Sequence, residues 1–236
     1  MAKVMKADLK KYETASELNA DFAQEIADKL QSGIDANGTA SLLISGGSTP
    51  RPMFAVLSQK DIEWNKVNIA LVDDRWVTTS DDASNEKMAN EALLINNAAV
   101  ANFVGMKSEH ENAFDAVEAV TAKLAHIKQP FDVVILGMGE DGHTASIFPC
   151  CAQLDEALTT DKVIMATEPT TAPHQRMTYT KSALLNSKQL YLHLVGESKE
   201  TVLNQVAESE DEKLAPIRAF LNQSDVPMSV MFAKNK

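Results

Sequence analysis

Apolar residues recur at every fourth position from Leu18 through Phe22 and Ile26 to Leu30, and this spacing predicts an amphipathic helix over residues 14–32. Asn37-Gly38 then predicts a turn. Beyond it the pattern changes to short apolar runs: Ser41–Ile44, Val67–Val72, Asp132–Leu136, Val163–Ala166 and Leu190–Val195. Each has the length of a strand, and Val67–Val72 and Asp132–Leu136 are rich in Val, Ile and Leu, as strands buried on both faces are. Helical patterns over Ala113–Ile127 and Ser198–Val206 separate several of these runs. The alternation predicts one Rossmann-like α/β domain over residues 1–236, its mostly parallel sheet flanked by helices on both faces. No linker, repeat or low-complexity tract interrupts it.

Composition changes this picture little. A chain of 236 residues, 44% hydrophobic and 23% charged, can close one core of this kind. No segment approaches the roughly 18 apolar residues of a membrane helix. The opening Met1–Asp8 lacks the apolar core of a signal peptide, so a cytoplasmic protein is expected. Cys150 and Cys151 are adjacent, which suits neither a structural disulfide nor a metal-binding CxxC, and two reduced thiols are expected. The net charge of −11 argues against nucleic acid and anionic membrane as partners, because both need a basic face. A small anionic ligand held by local donors remains open, as does either a monomer or a small homo-oligomer.

Parallel sheets place ligands at the carboxyl ends of their strands. Three segments begin where a predicted strand stops. Ser45-Gly46-Gly47-Ser48-Thr49-Pro50 follows Ser41–Ile44. Its glycines permit close approach of backbone, Ser48 or Thr49 could cap a following helix, and Pro50 suits a first turn, so the segment reads equally as an anion site or as a well-capped turn. It lacks the Gly-Lys-Ser/Thr ending of a Walker loop. Asp73-Asp74-Arg75-Trp76 follows Val67–Val72, and Arg75 offers the planar fork that suits phosphate.

The third segment, Gly137-Met138-Gly139-Glu140-Asp141-Gly142-His143, follows Asp132–Leu136 and satisfies GxGxxG. A dinucleotide site is rejected on three grounds. Glu140 and Asp141 would face the pyrophosphate, the motif lies mid-chain rather than after the first strand, and a titratable histidine stands where a helix should begin. A glycine loop presenting His143 beside Asp141 reads better as an acid–base site. Of the other histidines, His110 and His126 are expected in solvent and His193 in the core with a satisfied partner. His174, in a polar loop, could approach a site. No ligand spacing predicts a metal.

Together these residues resemble the 6-phosphogluconolactonase family. The resemblance rests on five segments in order: Ser45–Pro50; Asp73-Asp74-Arg75-Trp76-Val77 with Ser84-Asn85 and Met88; Gly137–Pro149; Pro173–Thr178; and Gly196-Glu197-Ser198-Lys199. Asp74 stands where the family usually has Glu, and Ile147 where it usually has Leu. Glucosamine-6-phosphate deaminases are similar in fold, but their loop supplies a glutamate after the histidine, where this chain has Thr144-Ala145-Ser146-Ile147-Phe148-Pro149.

The resemblance implies hydrolysis of 6-phospho-D-glucono-1,5-lactone, without metal or cofactor. His143 is then the general base, with Asp73 or Asp141 orienting it. Gly46, Gly47, Ser48, Thr49, Arg75, Asn85, Gly139, Ser146, Arg176 and Lys199 are implied as substrate-binding, the 6-phosphate falling to Arg75, Arg176 and Lys199 in that order. Two alternatives are a sugar-phosphate isomerase or deaminase and a non-catalytic sugar-phosphate sensor. The sensor type carries a helix-turn-helix for which 45 residues ahead of the first glycine loop leave no room.

Overall fold

The Leu18–Leu30 stripe folds as predicted and runs further. In the computed structural model, which describes residues 5–235, helix α1 spans Ala15–Asn37 and buries Leu18, Phe22, Ile26, Leu30 and Ile34. A capping box starts it: Thr14 Oγ1 accepts the Glu17 N–H and the Glu17 carboxylate accepts the Thr14 N–H. Gly38, at φ 78°, ends it by donating to the Ile34 carbonyl at 2.7 Å. The predicted Asn37-Gly38 turn is therefore the left-handed end of this helix. Residues 1–4 of the stretch read for a signal peptide lie outside the described residues.

The remaining elements are β1 (Asp8–Thr14), β2 (Ala40–Ile44), α2 (Arg51–Leu57), β3 (Val67–Leu71), β4 (Asp73–Arg75), α3 (Asn85–Ala92), β5 (Asn102–Val104), α4 (Ala113–Leu124), β6 (Val133–Leu136), α5 (Leu154–Thr159), β7 (Ile164–Thr167), β8 (Arg176–Tyr179), α6 (Lys181–Leu185), β9 (Leu190–Val195), α7 (Glu197–Val206), α8 (Arg218–Leu221) and β10 (Met228–Asn235). Seven strands form one sheet in the order β1-β10-β9-β6-β2-β3-β5, every pair parallel. Strands β2 and β6, at its centre, are buried at every position, as the continuous apolar runs require.

The predicted strand Val163–Ala166 exists, shifted by one residue, but not in the parallel sheet. It is β7 of a separate antiparallel sheet, β4-β8-β7. That small sheet hangs from the end of β3, where Tyr179 donates to the Val72 carbonyl at 3.0 Å. The periodicity leaves β1, β4, β5, β8 and β10 unassigned. β1 is a polar edge strand, and β4 and β5 are only three residues long.

Candidate active site

The chain leaves β2 towards β3 and leaves β6 towards β9, on opposite sides, so a crevice opens between their carboxyl ends. A cavity of about 320 Å³ lies there. It is lined by the Ser45–Thr49 loop and by Gly137–Gly139 with His143 and Ala145. Asp73, Arg75, Asn85 and Arg176 also line it, as do Lys199 and the end of β9.

His143 is fixed on two sides. Its Nδ1 lies 2.5 Å from Asp141 Oδ1, which also accepts the His143 N–H at 3.1 Å. The Phe148 ring stacks on the imidazole, centroids 3.9 Å apart and planes 25° from parallel. Gly139 lies so close that a Cβ there would fall 2.2 Å from His143 Cε1 and Nδ1 and 2.8 Å from Asp141 Oδ1. Among the described residues Nε2 has no partner. Burial pushes the Asp141 carboxyl up, but the His143 hydrogen bond and charge outweigh it and hold the group below its usual range. An ionised Asp141 accepting from Nδ1–H leaves the Nε2 lone pair as the ring's base.

Asp73 stands elsewhere. Its Oδ2 accepts the Ser146 hydroxyl at 2.5 Å. Ser146 is fully buried and does not line the cavity; its amide donates to Thr178 Oγ1 and its carbonyl accepts from Thr167. It therefore braces Asp73 against β7 and β8.

Arg75 and Arg176 are direct partners across the antiparallel pair β4–β8. Like charges in such positions repel. Arg75 Nη1 donates to the Ala83 carbonyl at 2.6 Å. Arg176 is buried, with its guanidinium 5.5 Å from the Phe148 ring centroid. Its Nη2 donates to the Pro173 carbonyl at 3.1 Å, but its buried Nε has no partner among the described residues. Burial, with some repulsion from Arg75, pulls the Arg176 pKa down. Lys199 reaches across from α7, donating to the Met138 carbonyl at 2.9 Å and pairing with Glu140 at 2.6 Å. Among the described residues no group of three or more His, Cys, Asp or Glu is placed to hold a metal. No helix there is long and apolar enough to cross a membrane.

Residues 13–228 match the family profile described as glucosamine-6-phosphate isomerases/6-phosphogluconolactonase. The chain belongs to this family. It is 40% identical over 231 residues to a 6-phosphogluconolactonase of Rhizobium meliloti, covering 97% of this chain and all of that one. A 6-phosphogluconolactonase of Neisseria meningitidis is 41% identical over 229 residues, covering 94% and 97%. The crystal structure of a 6-phosphogluconolactonase from Shewanella baltica superposes with a TM-score of 0.97 at 48% identity, covering 98% of this chain and all of that one.

Most family residues expected from the sequence converge on the cavity: Gly46, Gly47, Ser48, Thr49, Asp73, Arg75, Asn85, Gly139, His143, Arg176 and Lys199 all line it. Asp141 and Ser146 do not, and touch it only through His143 and Asp73. Three expectations change. Neither Ser48 nor Thr49 caps α2: Pro50 holds the N-cap position without a side-chain bond, and the helix begins at Arg51. His193, expected to have a partner, has none on either ring nitrogen among the described residues, and it lines the cavity as well as the core. Burial alone depresses its pKa to about 4. His174 is exposed and does not line the cavity. Phe148 is the contributor whose role the sequence did not show, because its stacking on His143 is a contact made by a turn.

Proposed function

We propose that this chain hydrolyses 6-phospho-D-glucono-1,5-lactone to 6-phospho-D-gluconate, the second step of the oxidative pentose phosphate pathway, in the cytoplasm. Family membership supports the reading. The observation that carries it is that Arg75 and Arg176, register partners across β4–β8, line the same cavity as His143 held by Asp141. Two arginines brought to one cavity in a protein of net charge −11, one with a buried donor unpaired among the described residues, call for an anion such as phosphate.

In this proposal His143 Nε2 takes a proton from a water molecule as its oxygen attacks the lactone carbonyl. Asp141 stabilises the imidazolium that forms. The tetrahedral oxyanion collapses by breaking the ring C–O bond, and the departing alkoxide recovers the proton from His143. The amides of Gly139 and Gly142 already donate to the carbonyls of His143 and Gly139; the amides of Gly46 and Gly47, which line the cavity, are assigned as oxyanion donors. Asp73, braced by Ser146, with Asn85, Ser48 and Thr49 meets the sugar hydroxyls, and Lys199 assists the arginines.

The test is a lactone hydrolysis assay corrected for spontaneous opening. The purified chain should accelerate loss of the phosphorylated lactone, with EDTA having no effect. Ammonia release from glucosamine 6-phosphate in place of lactone hydrolysis would reassign the chain to the isomerase branch. Binding without turnover would make it a sensor.

A further inference from the structure

Asp74 is 3% exposed and stands between two cavity-lining residues without lining the cavity itself. Its carboxylate accepts four bonds. Oδ1 takes the N–H of Arg75 at 2.8 Å and of Asn85 at 2.7 Å. Oδ2 takes the N–H of Glu86 at 3.1 Å and the Ser84 hydroxyl at 3.4 Å. Asn85 and Glu86 open α3, so their amides have no carbonyl within the helix. The next amide, of Lys87, goes to Ser84 Oγ at 3.2 Å. The positive end of α3 is thus consumed internally and is not offered to a ligand.

What Asp74 holds in place is the cavity wall. Asn85, tied by its amide to Asp74, donates from Nδ2 to the Asp73 carbonyl at 2.9 Å. Its side chain lies flat on Gly46, where a Cβ would fall 1.8 Å from Asn85 Oδ1. Arg75 is anchored to the same unit at both ends, by its amide to Asp74 and by its guanidinium to the Ala83 carbonyl. One carboxylate therefore joins the strand bearing Asp73 and Arg75, the start of α3 and the first glycine loop.

We propose that Asp74 is a positioning residue: its buried carboxylate sets where Arg75 and Asn85 stand on the cavity wall, and through Arg75 how tightly the substrate phosphate is held. This rests on the reading of Arg75 as a phosphate ligand. Asn in place of Asp keeps the shape but turns an NH2 group towards one of the donors, leaving it unpaired.

The experiment compares wild type, Asp74→Asn, Arg75→Ala and the double variant on the phosphorylated lactone and on unphosphorylated glucono-1,5-lactone. Asp74→Asn should raise KM for the phosphorylated lactone about tenfold, the scale of one charge-assisted bond, with kcat changed much less. In the Arg75→Ala background the same substitution should add less than about twofold, since residues acting through one contact are not additive. Losses that multiply, or wild-type kinetics with only a lower melting temperature, would overturn the proposal. If Arg75→Ala weakens both lactones equally, the phosphate reading fails, while non-additivity with Asp74 still reports the positioning. Should Asp74→Asn not fold, Ser84→Ala removes the longest of the four bonds together with the cap on the Lys87 amide. It should show a smaller KM rise that is likewise absent beside Arg75→Ala, and a rise that persists there overturns the proposal.

Discussion

At the scale of single residues, the site depends on how closely backbone approaches the reacting ring. Gly139→Ala would drive a methyl group to 2.2 Å from the His143 ring, so the His143–Asp141 pair must move. The variant should lose activity on the scale of a displaced general base, about 10²–10⁴-fold, with its circular dichroism melt retained. His143→Ala should match it. Asp141→Asn should lower kcat with little change in KM, because an amide stabilises the imidazolium less and permits the wrong tautomer. Activity near wild type in folded His143→Ala would remove His143 as the base, and in folded Asp141→Asn would remove Asp141 as its partner. The arginines separate by substrate. Arg75→Ala and Arg176→Ala should each cost roughly 10- to 150-fold in kcat/KM on the phosphorylated lactone, from about 1.5–3 kcal/mol per charge-assisted bond. Both should leave the unphosphorylated lactone almost unchanged; equal losses on the two would place them in the chemistry or the fold instead.

At the scale of elements, strands and helices carry the two kinds of positioning unequally. The parallel sheet brings the Ser45–Thr49 and Gly137–His143 loops together because β2 and β6 are neighbours. The small antiparallel sheet does the rest, setting Arg75 opposite Arg176 by register alone. A one-residue slip of β8 would turn Arg176 to the other face of the sheet, so this pairing is where substrate recognition is most exposed to error. Helix α1 supplies no residue to the lining of the cavity and tests stability apart from catalysis. Thr14→Ala removes the capping box and should cost about 0.5–2 kcal/mol in urea unfolding while kcat stays at its wild-type value. A matching fall in kcat would show that α1 governs the site.

At the scale of the whole molecule, two buried groups tie stability to pH with opposite signs. His193 titrates at about 4 in the fold because burial disfavours its charge, against about 6.5 unfolded. Between those values the unfolded chain binds a proton that the fold refuses, so stability falls as pH drops. Burial raises Asp74 to about 6 from an ordinary 3.8. There the fold binds the proton first, and stability rises as pH drops through the same window. The two contributions offset each other. Between pH 7 and pH 4.5, His193→Phe should gain about 2 kcal/mol relative to wild type, and Asp74→Asn should lose a similar amount. Urea unfolding at both pH values decides it; parallel shifts in all three proteins would mean that neither group couples to folding.

The sequence by itself determined the chemistry and its approximate place. Periodicity located the central strands, since strands buried on both faces must be continuous apolar runs, and the strand-end rule then marked three loops as candidates. The family resemblance named His143 and Arg75 within them, and Arg176 in the separate segment Pro173–Thr178. Only the tertiary structure decided who partners whom. Asp141 rather than Asp73 holds His143, because a tight glycine loop folds position 141 back onto 143, whereas Asp73 sits on a strand facing Ser146. The polar edge strand β1 and the three-residue β4 had no period to read. The second sheet, and with it the pairing of Arg75 with Arg176, exists only once distant segments meet, because register between strands about a hundred residues apart is a property of packing rather than of any local pattern.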